Sequence, residues 1–292
     1  MSKLIITAAI VGAEVTRDIN PSVPLTPDEL AQAAYECCKA GAAIVHLHAR
    51  DKDGNPTQDK EVFAEIIRLI KDKCDIIVQI STGGAVTASV EERLAPISLK
   101  PEMGTLTTGT VNFGNDVFMN SPEYVEKIAR ALQENGVKPE VEVFEVGMIQ
   151  NALNLIKKGL LSEPLHFDFV MGVPGAIPGT IKNLLHLSES IPPGSTWTVA
   201  GIGRAELPLA TMAIMMGGHV RVGYEDNVYY SRGVLAESNA QLVERVVRLA
   251  KELGREVATP AEARGILGIA SRLQPPGASH GDKNVQDIGA ST

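Results

Sequence analysis

Cysteine is scarce in this chain: Cys37, Cys38 and Cys74 among 292 residues. The count is odd, two are adjacent, and none forms a CxxC pair. That argues against a disulfide framework and a thiolate zinc site, and fits a reducing cytoplasm. Long apolar runs are missing as well; none approaches the roughly 20 residues that span a bilayer. The N-terminal LIITAAIVGAE runs at once into Glu14 and Arg17, with no small-residue cleavage site behind a long apolar core. It reads as a first strand rather than a signal peptide. A basic excess is absent too, since 27 Lys and Arg face 35 Asp and Glu for a formal charge of −8. A nucleic-acid binder needs a basic face, whereas an anionic small molecule needs only a local one. Finally, VGAEVTRD after the first strand lacks the GxGxxG spacing of a dinucleotide-binding sheet. No linker and no repeat beyond a strand-helix unit divides the chain.

What is present is a soluble, globular composition, 44% hydrophobic and 21% charged. Apolar runs of strand length recur at Leu4–Ile10, Ile44–His48, Ile76–Ser81, Met103–Thr107, Val141–Glu145, Phe167–Met171, Thr196–Ala200 and Val220–Gly223. Their apolar character is continuous, not alternating, as in parallel strands covered on both faces. Helix starts lie between them: Thr26-Pro27-Asp28-Glu29, Ser121-Pro122-Glu123, Ser238 to Gln241 and Thr259-Pro260-Ala261-Glu262. In LVERVVRLAKELG, the residues Leu242, Val246, Leu249 and Leu253 form one stripe, and Gly254 is a natural stop. Eight strand-helix units in a chain of this length predict an α/β fold, a closed (β/α)₈ TIM barrel, with a doubly wound open sheet as the alternative. The barrel is expected over residues 1–273. The tail, 274–292, is polar, rich in turn formers and expected to be extended or disordered.

Barrel enzymes place their chemistry at the C-terminal ends of the strands. His46 and His48 end the second strand two residues apart, so their imidazoles share a face. Such a pair is a natural grip on a divalent cation, and a carboxylate from the last strand, Glu225 or Asp226, can supply the third ligand of a catalytic zinc site. The alternative is a polar layer in which the histidines bond to neighbours without a metal. Glu142 lies in the otherwise apolar VEVFEV, where a lone carboxylate costs several kcal/mol unless paired. Arg221 is the obvious partner, either in a static ion pair or in a Glu142–Arg221–Asp226 relay that ends in a proton acceptor. The corner Ser81-Thr82-Gly83-Gly84 offers backbone N–H groups for a carboxylate or phosphate, or simply makes a turn.

Taken together, TAAIVGAE, IVHLHARD, QISTGGAV, PEMGTLTTGTVNFG, PEVEVFE, FVMGVPG, AGIGR, GGHVRVGYEDN and GVLAESNAQLV resemble the β-keto acid cleavage enzymes, a family of zinc-dependent TIM barrels. The likeness extends to about Leu267. It implies an acyltransferase in which a β-keto acid and acetyl-CoA give acetoacetate and a new acyl-CoA. The substrate it points to is 3-keto-5-aminohexanoate of lysine fermentation, with 3-aminobutyryl-CoA as product. It implies one zinc per chain on His46, His48 and Glu225. It also implies Asp226 as base, oriented by Arg221 and Glu142, and a substrate carboxylate held by Ser81, Gly84 and Thr105. Glu14 would face the distal ammonium. A cytoplasmic homotetramer is implied, with neither nucleic acid nor membrane as partner. On this reading Arg221 lowers the pKa of Asp226 and keeps it ionised. Arg17, Arg50 and Arg204 are the candidate contacts for CoA. Two other functions fit the residues less closely: a metal-dependent aldolase working without CoA, and a binding barrel with an inert mouth.

Overall fold

Short runs of β-branched and aliphatic residues form eight strands: β1 Ile6–Ala9, β2 Ile44–Leu47, β3 Ile77–Ile80, β4 Met103–Thr107, β5 Lys138–Val143, β6 His166–Met171, β7 Thr196–Gly201 and β8 His219–Val222. In the computed structural model, which describes residues 2–269, each pairs in parallel with its neighbours in sequence and β8 pairs with β1, closing the barrel. The expected eightfold barrel is the observed one. The bounds differ by a few residues, most at β5, which starts at Lys138 because Met103 to Thr107 offer it partners from there on. The expected tail from 274 lies outside the described residues.

The helices that shield the barrel begin where the capping chemistry places them. Helix α1 (Pro27–Ala40) carries a full Thr26–Glu29 capping box. Helix α2 (Lys60–Lys73) is capped by Asp59, and α3 (Val90–Leu94) by a Ser89–Glu92 box. Then follow α4 (Pro122–Glu134), α5 (Gly147–Lys157), α6 (Ile181–Ser190), α7 (Glu206–Met216), α8 (Asn239–Glu252) and α9 (Pro260–Leu267). In α8 the buried stripe runs through Leu242, Val243, Val246 and Ala250; Leu253 lies past the last turn and is 44% exposed. Helix α9 plugs the N-terminal end of the barrel, its Ala263 and Leu267 packing with Ile5, Ile44, Ile77 and Met103. No helix among the described residues is long and apolar enough to cross a membrane.

The opposite end is different in kind. A barrel interior is usually filled by branched aliphatics, but here Thr7, Gln79, Glu140, Glu142, Asp168 and Arg221 are all buried. The register sets His46 beside Gln79, Glu142 beside Thr107 and Asp168, and Arg221 beside Thr7. A two-stranded ribbon, Val111–Phe113 with Asp116–Phe118, projects beyond β4. It is tied by Gly114 N–H to Pro174 O (2.9 Å) in the loop after β6.

Candidate active site

The histidines of IVHLH do converge. His46 is on β2 and His48 follows it directly, with ring centroids 5.4 Å apart. Glu225 joins them from the turn after β8: one carboxylate oxygen is 3.4 Å from His46 Nε2 and the other 3.6 Å from His48 Nε2. Ligand atoms from the three residues lie within 4.8 Å of one another. His46 Nδ1 is 2.7 Å from Gln79 Oε1, an amide oxygen that can only accept, so Nδ1 carries the proton and Nε2 presents a lone pair. That Nε2 and Glu225 Oε2 are buried and bonded to nothing in the protein. Buried polar atoms are normally satisfied, so an orphan nitrogen facing an orphan oxygen fits a cation held between them. Two imidazoles, one carboxylate and an open side toward a cavity match the donor set of a catalytic zinc site. The electrostatics agree. Burial disfavours charge on His46, yet the adjacent Glu225 outweighs it and raises the imidazole pKa. Burial likewise works against ionised Glu225, but Arg221, His46 and His48 hold its pKa far below the ordinary carboxylate range.

Two glycines make this meeting possible. Gly223 ends β8 at φ 147°, and a Cβ there would lie 2.2 Å from Ala9 O. The close approach lets Glu225 N–H reach Ala9 O at 3.1 Å, which aims the turn at the barrel axis. A Cβ at Gly12 would lie 2.6 Å from Glu225 Cγ, so this glycine leaves room for the carboxylate.

Arg221 organises the rest. Its Nε and Nη2 donate to both oxygens of Asp226, each at 2.9 Å, in a bidentate pair. Nη2 also donates to Glu225. Nη1 faces Glu142 at 3.7 Å and Asp168 at 3.5 Å. Thr107 Oγ1 donates to Glu142 at 2.6 Å. The expected effect of Arg221 on Asp226 is present but is not the largest. Burial, reinforced by Glu225, outweighs it and puts the Asp226 pKa above its ordinary value. This corrects the expectation that the arginine leaves Asp226 a weakened base. Asp168 beneath the arginine is pushed well above its ordinary value by burial, Glu140 and Glu142, with Arg221 opposing. Glu140, one layer deeper than Glu142, pairs instead with His166 at 3.0 Å.

Glu14, His48, Ser81, Gly84, Glu142 and Glu225 line an inner chamber of about 110 Å³. An outer chamber of about 390 Å³ shares Glu14, Glu142 and Glu225 with it, and adds Arg221 and Asp226. Phe113 and Phe144 wall both. Thr105 is the exception among the expected contacts. It is fully buried, and its hydroxyl accepts from Thr82 N–H at 3.1 Å, so it steadies the Ser81–Gly84 corner from behind. Of the candidate CoA contacts, Arg17 is spent on Glu29 and Arg50 is buried on the carbonyls of Gly12 and Val15. Arg204 is exposed just past β7. Sequence reading passed over Gln79 and Asp168. Each is a polar residue flanked by apolar ones, in IVQI and FDF, the signal that did flag Glu142.

The fold and this cluster define a TIM barrel with three side chains that could hold a metal ion, and a buried aspartate–arginine pair, at its C-terminal mouth. The model of the β-keto acid cleavage enzyme family matches residues 3–269, and the chain belongs to that family. The 3-keto-5-aminohexanoate cleavage enzyme of Fusobacterium nucleatum is 57% identical over 271 residues, covering 92% of this chain and 99% of that protein. The enzyme of the same name from Acetoanaerobium sticklandii is 55% identical over 272 residues, covering 92% and 100%. Among solved structures, apo ObcA superposes with a TM-score of 0.74 at 22% identity, over 85% of this chain and 66% of ObcA, a likeness of fold.

Proposed function

We propose that this chain converts 3-keto-5-aminohexanoate and acetyl-CoA to acetoacetate and 3-aminobutyryl-CoA, with one zinc held by His46, His48 and Glu225. One observation carries the reading: the orphan His46 Nε2 and Glu225 Oε2 face each other at the mouth where Asp226 is buried against Arg221. The names of the two relatives above support the substrate. Zinc, when bound, supplies a Lewis acid that polarises the substrate ketone.

The residues do the remainder. Ser81 and the backbone at Gly84 receive the substrate carboxylate in the inner chamber. Asp226, whose raised pKa makes it a stronger base, takes a proton from the carbon between carboxylate and ketone. Arg221 and Glu142 hold that carboxylate in place. The resulting carbanion attacks the thioester carbonyl of acetyl-CoA, a carbon–carbon bond forms, and CoA leaves as thiolate. The thiolate then adds to the original ketone carbon. Cleavage of the bond between that carbon and the former carbanion centre frees the new acyl-CoA and acetoacetate, and Asp226 returns its proton. An aldolase would need no CoA. The test is product formation with and without acetyl-CoA, before and after chelation: turnover requires both acetyl-CoA and metal, and turnover that survives loss of either rejects the proposal.

Glu14 stands at the rim of both chambers, where its carboxylate suits the substrate ammonium. A charged hydrogen bond is worth about 1.5–3 kcal/mol, so Glu14→Gln is expected to lower kcat/KM for the amino substrate about tenfold or more. β-Keto acids with neutral tails lose less; equal losses on both would remove Glu14 as a specificity residue. Gln79 acts one step back. Without its acceptor, His46 is free to change tautomer, so Gln79→Leu is expected to weaken zinc binding about 10–100-fold. Competition against a chromophoric chelator measures this, with activity recovering at excess zinc.

A cytoplasmic homotetramer belongs to the same reading. Helix α7 supports the assembly: its sequence is apolar on nearly all sides, and it leaves Leu207 and Met215 39% and 54% exposed, a surface suited to burial against another copy.

A further inference from the structure

Arg93, near the end of α3, is 2% exposed, and among the described residues it forms no ion pair. Its Nε donates to Thr82 O at 2.5 Å, Nη1 to Met119 O at 3.0 Å and Nη2 to Asn120 Oδ1 at 2.6 Å. The guanidinium also stands 4.9 Å over the Phe118 ring. Burial with no carboxylate in contact is costly and lowers the pKa to about 10, Glu142 offsetting part of the effect from a distance, which leaves the group cationic at neutral pH. Hydrogen bonds to two carbonyls and an amide do not require a full charge.

The arginine is joined to the candidate carboxylate corner through one peptide unit. Thr82 C=O accepts from Arg93, and the N–H of that same peptide, on Gly83, donates to Ser81 Oγ at 3.2 Å. A cation on the carbonyl strengthens the N–H as a donor, and a hydroxyl that accepts strongly donates strongly in turn. The acceptor bond also fixes the Ser81 rotamer, leaving its proton for a partner in the inner chamber. The other side of Thr82 is fixed by Thr105. Phe118, beneath the guanidinium, backs Gly83, where an added Cβ would lie 3.2 Å from the ring.

We infer that Arg93 is a positioning residue for the substrate carboxylate: it polarises the Thr82–Gly83 peptide and thereby the Ser81 hydroxyl, and the incoming carboxylate adds a negative charge where no carboxylate among the described residues contacts the arginine. The inference rests on the proposed role of Ser81. It is tested with zinc-loaded Ser81→Ala, Arg93→Lys and the double variant, by measuring kcat and the KM of each substrate. Each single change raises KM for the β-keto acid about tenfold or more, with KM for acetyl-CoA and the zinc content unchanged. The double variant is no worse than the poorer single one. If the two effects multiply, Arg93 does not act through Ser81 and the inference falls while the role of Ser81 stands. A silent Ser81→Ala overturns both. Should Arg93→Lys not fold, Asn120→Asp decides: it keeps the hydrogen bond but supplies a counter-charge inside the protein. It raises KM for the β-keto acid with the melting temperature held or increased, and an unchanged KM overturns the inference.

Discussion

Asp226→Asn lowers kcat by about two to four orders of magnitude, the range that a positioned general base contributes. Few substitutions in this chain should separate chemistry from structure as cleanly. The amide is isosteric and still accepts from Arg221 through one oxygen, at a position where the carboxylate now accepts at 2.9 Å on each. What disappears is the basic oxygen, together with one of the two Arg221 hydrogen bonds, since the amide NH2 only donates. The zinc-ligand trio is untouched, so metal content stays at one per chain and KM for both substrates shifts far less than kcat. Purified variant with full metal content and near-normal kcat would remove Asp226 from the mechanism and return attention to Glu142, a further carboxylate shared by cavity and arginine that is not in the zinc-ligand trio.

Glu225→Ala abolishes activity by a different route. On the proposed zinc site, the two imidazoles remain, but the ion loses its only charged ligand, and two neutral donors do not retain zinc against dilution. Metal analysis is expected to fall well below one per chain, with turnover at background. The loss has a second readout besides activity. A ligand that binds only the folded protein raises stability by RT ln(1 + [L]/Kd), about 2.7 kcal/mol at a hundredfold excess over Kd. The melting temperature of the parent chain therefore drops on chelation and recovers on adding zinc, whereas that of the variant responds to neither. A parent enzyme that keeps its activity after complete metal removal would end the metal-assisted account. The variant also leaves Arg221 without one of its acceptors. Some loss of stability independent of metal follows, so the chelation difference is the measurement to read, not the absolute melting temperature.

Much of this was legible in the residues themselves. Strand-length apolar runs alternating with capped helices specify the barrel, because periodicity and capping are local properties. HLH, EVE and RVGYED were legible because a polar side chain in a buried strand needs a reason. Three things were not. Register across the barrel decides that Gln79 meets His46 and that Thr107, not Thr105, meets Glu142, and no local pattern encodes which residues of distant strands lie side by side. The balance of burial against Arg221 at Asp226 depends on solvent exclusion, which appears only once the strands have closed. Arg93 lies in VEERL, a stretch that reads as a solvated helix; the ribbon and the corner that bury it come from elsewhere in the chain.

The seam between β1 and β8 has a consequence for how the protein is made. The acid that completes the trio reaches it only because Gly223 lies against Ala9 and Gly12 makes room beside it. A nascent polypeptide emerging from the ribosome owns both imidazoles within its first fifty residues, yet lacks the third group of the trio until Glu225 has followed and the two termini of the sheet have found each other. On the proposed metal site, acquisition of the ion is therefore a report on completed topology: truncated or half-closed chains are left without it.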